Sequence, residues 1–328
     1  MKPLERLWYG GSLLAVPLVP LSWLFRGVVA LRRRAYQRGL LHSQRAGCPV
    51  IVVGNLTVGG SGKTPFVIWL AGQLLSAGYW PGIVSRGYGG RASSWPQQVR
   101  PDSDTKVVGD EAVLIARRTG CPMAVGPDRV EACRALQKFH QCDVIISDDG
   151  LQHYAMQRDL EIVIIDGARR FGNGHCLPAG PLREPPARLR SVDLVVLNGG
   201  FPRAGEALML LEGNTLCNLA EPENCRPLSS LSGSRVHAVA GIGNPGRFFA
   251  RLRETGLVVE EHPFPDHHRF SARDLEFGDN LPVVMTEKDA VKCRQFAGPD
   301  HWYLPVSARL EDGFAARLLQ LLKRKTDG

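Results

Sequence analysis

The sequence lacks several signatures that would assign it to common classes of protein. Its eight cysteines include no Cys-x-x-Cys pair, which argues against a zinc ribbon or finger and fits reduced thiols in the cytosol. No Asn-Lys dipeptide occurs, so the Asn-Lys-x-Asp motif with which GTP-binding switches read guanine is absent. Repeats and low-complexity tracts are also missing. The 328 residues have the composition of a globular protein that is long enough for two domains.

Acidic side chains are nearly missing from residues 1–45, which hold eight basic side chains and only Glu5. This segment therefore carries +7 of the net charge of +8. A nucleic-acid-binding face would not collect its charge in this way, so we expect no nucleic-acid partner. Within the segment, Leu7 to Phe25 contains no charged residue, and a basic stretch with Arg32, Arg33 and Arg34 follows.

The uncharged run is at the short limit for a membrane-spanning helix, and its prolines and glycines weaken a regular span. A signal peptide would need small residues for cleavage where the arginines stand. A buried core helix is a further alternative. Trp8, Tyr9 and Trp23 suit a membrane interface. We therefore predict a membrane-embedded or interfacial anchor at residues 1–45, whose basic flank contacts anionic lipids and leaves the rest of the chain in the cytoplasm.

A glycine-rich loop lies between a predicted strand at 49–53 and a predicted helix at 66–75. This context predicts a nucleotide phosphate site at Val58-Gly59-Gly60-Ser61-Gly62-Lys63-Thr64. Backbone N–H groups and the helix N-terminus would hold the phosphates of ATP. Lys63 would contact the outer phosphates, and the Thr64 hydroxyl would bind Mg²⁺. Thr57 stands where the generic pattern has its first glycine.

Further charged residues follow predicted strands or open predicted helices. The strand at 143–147 ends in Asp148 and Asp149, either of which could be the Mg²⁺ ligand of a P-loop protein. Arg86 follows the strand at 81–85 and is placed to contact phosphate or an acidic substrate. Asp110 opens a helix, where a carboxylate is either a cap or a catalytic group. Other candidate substrate-binding residues are Gln152, His153 and Arg183.

The alternation of strands and helices predicts an α/β fold: a P-loop NTPase-like sandwich with a second, smaller α/β domain and an N-terminal membrane-associating helix. We expect the P-loop domain at 46–200, where a strand at 192–197 closes the sheet, and a connector with weak periodicity at 201–235. The second domain is expected at 236–328, with a final helix at 312–323. In this domain Asp266, His267 and His268 could bind metal or form a plain polar turn, since no further ligands complete a zinc spacing.

Seven motifs, taken in their order along the chain, resemble those of the tetraacyldisaccharide 4′-kinase family, the lipid A kinases of Gram-negative bacteria. The motifs are Gly54 to Pro65, Ser85 to Gly89, Gly109 to Glu111, Asp148 to His153, Leu177 to Glu184, Asp266 to His268 and Thr286 to Ala290. Thr57 is part of this family's version of the P-loop.

The resemblance implies ATP- and Mg²⁺-dependent phosphorylation of the 4′ hydroxyl of a tetraacylated glucosamine disaccharide 1-phosphate at the cytoplasmic face of the inner membrane. It implies that Asp110 is the base and that His267, or less favourably His268, works with it; Lys63 and Asp149 complete the expected catalytic residues. The alternative is a membrane-tethered P-loop ATPase switch without a lipid acceptor. A soluble small-molecule kinase would leave the N-terminus unexplained.

Overall fold

The computed structural model describes residues 3–10 and 13–326. The strands in this part of the chain are β1 Val50–Gly54, β2 Pro81–Ser85, β3 Gln97–Val99, β4 Met123–Val125, β5 Val144–Asp148, β6 Leu160–Asp166, β7 Leu194–Asn198, β8 Glu206–Glu212, β9 Thr215–Asn218, β10 Cys225–Pro227, β11 Arg235–Ala240, β12 Val258–Pro263, β13 Val283–Thr286, β14 His301–Leu304 and β15 Ser307–Leu310. The α-helices are α1 Pro3–Tyr9, α2 Val19–Gln37, α3 Lys63–Ser76, α4 Thr105–Val108, α5 Asp110–Thr119, α6 Arg129–His140, α7 Pro245–Glu254, α8 Glu287–Cys293 and α9 Phe314–Thr326.

The first sheet has the strand order β15-β8-β7-β6-β1-β5-β2-β4-β3. Its central strands are parallel, and both edge strands, β15 and β3, pair antiparallel. Along β1, Ile51 and Val53 join the core beneath α3, α5 and α9, whereas Val50 and Val52 join the core beneath α6. Because both faces are covered, β1 is a continuous apolar run rather than an alternating one. The predicted α/β sandwich is confirmed.

The second sheet has the order β10-β9-β14-β13-β11-β12. Its strands β11 to β14 are parallel, and β9 and β10 form an antiparallel pair at one edge. Cys217 and Cys225 are register partners in that pair and are joined by a disulfide. The expectation of reduced thiols is therefore wrong for these two, while the six remaining cysteines are free.

The two sheets divide the chain differently from the predicted ranges 46–200, 201–235 and 236–328. β7 does not close the first sheet, since β8 and β15 extend it. The predicted connector contributes β8 to the first sheet and both β9 and β10 to the second. The final helix exists as α9, but its Phe314, Leu318 and Leu322 pack in the core of the first sheet. β15 pairs with β8 although the two strands lie far apart in sequence, and local periodicity does not detect such a pairing.

Helix α2 presents an apolar face to the surroundings. Leu21, Leu24, Val28 and Leu31 share this face at helical spacing, and each is more than half exposed. On the opposite face Ser22 is buried: its Oγ donates to Cys176 O at 2.7 Å and accepts the Ala179 N–H at 2.9 Å. The stretch Leu14–Gln37 is long and apolar enough to cross a membrane, and only 11% of its most apolar window is buried. A buried core helix is therefore excluded, and membrane association is indicated.

Two glycines, one at the end of β1 and one within α3, test how closely these elements are packed. A Cβ on Gly54, the last residue of β1, would lie 2.6 Å from Leu151 Cβ. We expect Gly54→Ala to lower the free energy of unfolding by about 1–3 kcal/mol, because an overpacked core must shift. Gly72, within α3, has open space around the corresponding position. Gly72→Ala should raise the free energy of unfolding by about 0.5–1 kcal/mol in urea titrations. Equal shifts in both variants would contradict this packing.

Candidate active site

The glycine-rich loop follows β1, which lies between β5 and β6 in the middle of the first sheet. Gly59 and Gly62 adopt φ of 104° and 95°, a region that glycine enters without steric cost. A Cβ on Gly62 would also lie 2.3 Å from Nδ2 of Asn198, which donates to Ser61 O at 3.0 Å. The loop therefore stays open, and the N-terminus of α3 at Lys63 is available to a phosphate group.

The segment 177–184 contacts this loop and explains why the loop has Thr57 where the generic P-loop pattern has glycine. The N–H of Val58 donates to Pro181 O at 2.8 Å. Thr57 forms an antiparallel bridge with Leu182. Extended backbone of this kind suits a β-branched residue, so the position of Thr57 does not require glycine.

The two adjacent carboxylates after β5 have different surroundings. Asp148 is 2% exposed and accepts a hydrogen bond from Ser85 Oγ at 3.2 Å. Asp149 has a left-handed φ of 49° and turns toward two cations. Its Oδ1 lies 3.4 Å from Lys63 Nζ, and its Oδ2 lies 3.0 Å from Arg183 Nη1.

These surroundings separate the two pKa values. Burial, with added repulsion from Glu111 and Asp149, raises the pKa of Asp148 to about 7. Burial also acts to raise the pKa of Asp149, but the charges of Lys63 and Arg183 outweigh it and lower that pKa to about 2. Asp149 is therefore paired with two cations, whereas at Asp148 burial and repulsion outweigh the opposing charge of Lys63.

The residues at this point fit a hard divalent cation. Oδ1 of Asp148 is buried and accepts no hydrogen bond from the described residues. Thr64 and Asp149 line the same cavity as Asp148. Oxygen ligands of this kind are those that Mg²⁺ prefers, and an under-satisfied buried carboxylate gains most from a cation. Asp148 has the free oxygen, whereas both oxygens of Asp149 contact basic side chains.

Asp110 and His267 meet across the two sheets although they are 157 positions apart in sequence. Nδ1 of His267 lies 3.1 Å from Oδ1 and 3.2 Å from Oδ2 of Asp110. His267 has a φ of 59°, a left-handed conformation that is uncommon outside glycine and concentrates at functional sites. Oδ1 of Asp110 also accepts the Glu111 N–H at 2.9 Å, so this carboxylate contributes to the start of α5 as well. His268 instead lies 3.4 Å from Asp274 Oδ2.

The contact between Asp110 and His267 shifts the pKa values of both residues. The hydrogen bond to Asp110 raises the pKa of His267, which favours the imidazolium. Burial acts to raise the pKa of Asp110, but the hydrogen bond from His267 and the charges of Lys288 and Lys292 outweigh burial and lower it to about 2. The contact therefore favours the charged form of each partner.

Lysines on α8 extend this network. Nζ of Lys288 donates to Glu111 Oε1 at 2.9 Å and to Asp266 Oδ1 at 3.2 Å, and it lies 3.5 Å from Nε2 of His267. Lys292 follows one helical turn later on the same face. Lys288 belongs to the motif Thr286 to Ala290, but its sequence context alone indicates no role for it. The i, i+4 spacing of the two lysines becomes informative only when α5 is known to pack against α8.

A cavity of about 1530 Å³ joins these groups. Its wall contains the phosphate loop at 58–64, then His267, and finally Phe25, Val28, Val29 and Arg32 of α2. The cavity is thus polar where the charged residues converge, and where it reaches α2 it has three apolar side chains beside one arginine.

All four predicted substrate-binding residues line this cavity: Arg86, Gln152, His153 and Arg183. Two of them also hold neighbouring side chains, since Gln152 Nε2 donates to Glu184 Oε1 at 2.9 Å and Arg183 pairs with Asp149. Burial and nearby arginines lower the pKa of His153 to about 4, so its imidazole is neutral. The roles of the four residues toward a substrate stay predictions.

Comparisons with known proteins agree with this geometry. The family model described as LpxK, tetraacyldisaccharide-1-P 4′-kinase, matches residues 14–323. Curated tetraacyldisaccharide 4′-kinases from Nitrosococcus oceani and Methylobacillus flagellatus are each 54% identical, over 97% and 98% of this chain and 94% and 96% of theirs. The crystal structure of LpxK from Aquifex aeolicus in complex with ATP is similar with a TM-score of 0.80 at 30% identity, covering 96% of this chain and 100% of that one.

Substitution of Asp148 and of Asp149 should change the stability of the fold in opposite directions. The folded-state pKa of Asp148, about 7, lies above its ordinary value of 3.8, so the folded protein binds more protons between these values and its stability falls as pH rises through that window. In EDTA at pH 8, Asp148→Asn should raise the free energy of unfolding by roughly 1–3 kcal/mol, and at pH 4 the gain should be lost.

Asp149→Asn is the matched control, because its carboxylate is paired with Lys63 and Arg183. The pKa of Asp149 is lowered, so this variant should lower stability at pH 8. Thermal unfolding of both variants at the two pH values is the measurement. Loss of stability at pH 8 in both variants would show that Asp148 is not an uncompensated charge.

Proposed function

Because this chain belongs to the tetraacyldisaccharide-1-P 4′-kinase family, we propose that it transfers the γ-phosphoryl group of ATP to the 4′ hydroxyl of a tetraacylated glucosamine disaccharide 1-phosphate. The chain is a phosphotransferase of lipid A biosynthesis. The observation that carries the detailed proposal is the single cavity lined by the phosphate loop, by His267, which contacts Asp110, and by side chains of α2.

The phosphate loop binds and neutralises the transferring group. Backbone N–H groups at 58–64 hold the phosphates, and Lys63 moves from Asp149 toward the outer phosphate oxygens. Thr64 and Asp148 would hold Mg²⁺, with Asp149 nearby, and when bound this ion supplies further neutralisation of negative charge. These residues do little covalent chemistry, because phosphoryl transfer depends mainly on positioning and on charge.

Asp110 accepts the proton of the sugar hydroxyl, and His267 positions Asp110. The low pKa of Asp110 makes it a weak base. Such a base suits a loose transition state, in which the hydroxyl becomes acidic only late in the transfer. His267 lines the cavity in front of Asp110, which is 6% exposed, so the acceptor hydroxyl is expected to approach past the imidazole edge.

The N-terminal helix accounts for the lipid part of the substrate. The exposed side chains of α2 enter the interface of the inner membrane at its cytoplasmic face, and the arginines at 32–34 contact anionic lipids. Ser22 and Arg33 remain bonded to the protein body, through Cys176 and Ser191 respectively, which favours a helix lying at the interface over one that crosses the bilayer. The acyl chains then approach Phe25 and Val28 from the membrane side.

A membrane-tethered ATPase switch would use the same phosphate loop and the same helix. Such a switch has no need of a cavity that reaches α2. Labelled phosphate transfer from ATP to a tetraacylated disaccharide 1-phosphate decides between the two functions, because a switch would hydrolyse ATP without an acceptor.

The same assay tests the proton acceptor. Asp110→Asn should lower kcat by roughly 10²–10⁴, the usual contribution of general-base catalysis, although an asparagine still caps a helix. His267→Gln should lower kcat in the same direction. The double variant should be little worse than Asp110→Asn, because the two residues act as one unit. ATP binding should be retained in all three variants.

Asp104→Asn is the matched control, since Asp104 caps α4 by accepting the Lys106 N–H at 2.8 Å and lies outside the network. This variant should keep near-normal kcat. Asp110 would be only a cap if Asp110→Asn kept most of the activity, and the proposed base would then be wrong.

The α2 face can be tested with vesicles that contain anionic phospholipid. Leu24→Gln/Leu31→Gln should reduce binding, since each buried leucine contributes about 1.5–3 kcal/mol. High salt should also weaken vesicle binding of the unsubstituted chain, because salt screens the attraction between its arginines and the anionic lipids. Phe139→Gln is the control: Phe139 is 71% exposed but lies on α6. Equal loss of binding in Phe139→Gln and in the double variant, or no loss in the double variant, would rule out α2 as the anchor.

A further inference from the structure

A second cluster of chemically active side chains lies on the second sheet, outside the cavity. His237 on β11 and Glu260 on β12 are register partners in a parallel pair. His262 follows Glu260 by two residues, so all three side chains share one face of the sheet. His237 is 3% exposed, whereas Glu260 and His262 are half-buried. The ring of Phe277 stacks on both imidazoles at 4.1 Å between centroids.

The distances match those between ligands of one tetrahedral ion. His237 Nδ1 lies 3.0 Å from His262 Nε2 and 3.4 Å from Glu260 Oε2. The ligand atoms of the three residues all lie within 4.8 Å of one another. Zinc–nitrogen bonds of about 2.0–2.1 Å at tetrahedral angles place neighbouring ligand atoms roughly 3.3 Å apart. The cluster is therefore close to the required spacing without rearrangement.

A carboxylate outside the cluster fixes the chemistry of His237. Nε2 of His237 lies 3.0 Å from Asp279 Oδ1 and donates its proton there, which leaves Nδ1 as a lone-pair donor facing His262. A histidine that ligates a metal is commonly oriented by a carboxylate in this manner. Glu260 is oriented by a neighbour as well. Arg235 binds its Oε1, and its Oε2 faces His237.

We propose that His237, Glu260 and His262 bind one Zn²⁺ ion, with Asp279 as the group that orients His237 and solvent at the fourth position. Two imidazoles and one carboxylate form a ligand set that Zn²⁺ takes, whereas Mg²⁺ prefers oxygen ligands alone. The absence of Cys-x-x-Cys pairs had argued against zinc. This ligand set has no recognisable spacing in the sequence, because parallel register rather than a short motif brings it together.

An ion at this position also affects the active site. β12 is the edge strand of the second sheet and pairs on one side only, with β11. The chain that leaves β12 passes directly to Asp266 and His267. Zn²⁺ crosslinks β12 to the interior strand β11 and so stabilises the base of the segment that carries His267.

The test uses the full chain, stripped with EDTA and free of ATP and Mg²⁺. Titration with Zn²⁺ in a calorimeter should show one site, and zinc at 100-fold over its dissociation constant should raise Tm by roughly 4 °C. Glu260→Gln and His262→Ala should weaken zinc binding at least 100-fold. Asp279→Asn should weaken it by about 10–100-fold, as expected of an orienting group. Mg²⁺ alone should produce no comparable shift in Tm.

Two histidine controls locate the ion. His42→Ala removes an exposed histidine far from the cluster, and His267→Gln removes the imidazole of the Asp110 pair. Both variants should keep the zinc site. Zinc binding that survives His262→Ala, or that is lost in His267→Gln, would place the ion elsewhere and overturn the proposal.

Folding is checked through the metal-free Tm of each variant. Glu260→Gln preserves shape, so it remains informative if His262→Ala unfolds. Unchanged zinc affinity in Glu260→Gln would then identify the cluster as a hydrogen-bonded His–His–Asp chain without an ion.

Discussion

The contact between Asp110 and His267 is the interaction on which the arrangement of the site depends. Asp110 begins α5, which packs in the core of the first sheet, and His267 has a left-handed backbone in the segment that follows β12 of the second sheet. The contact brings a carboxylate and an imidazole to the edge of the phosphate site only if α5 and α8 pack against one another. The chemistry of the site is therefore a property of the interface between the two sheets.

Several ion pairs cross that interface. Nη1 of Arg118 donates to both carboxylate oxygens of Glu287, at 2.9 Å and 2.7 Å, and Lys288 bridges Glu111 and Asp266. Partly buried ion pairs need good geometry to offset their desolvation, and these contacts are hydrogen bonds between charged groups. Such contacts limit sliding of α5 along α8, which suits an interface that holds Asp110 within hydrogen-bond distance of His267.

Features that depend on neighbours in the sequence could be predicted, and features that depend on pairing between distant segments could not. The strand before Gly54, the phosphate loop and the strand before Asp148 each have their full pattern within a short stretch. β8 and β15 were missed because each is recognisable mainly through the other. His237, Glu260 and His262 were missed for a similar reason, as was the role of Lys288. The disulfide between Cys217 and Cys225 follows from the β9–β10 register, which compositional reasoning about the cytosol did not include.

The apolar wall that α2 gives to the cavity changes the energetics of reaching the substrate. Removing an acyl chain from a bilayer costs about 0.8 kcal/mol per methylene, so extraction of four chains into water would be prohibitive. Because Phe25, Val28 and Val29 line the cavity while the adjacent face of α2 is exposed, the sugar can enter the polar end with its chains still in the bilayer. With α2 in the membrane interface, as proposed, the encounter between enzyme and lipid would be lateral diffusion in two dimensions, governed by surface density rather than by concentration in bulk water.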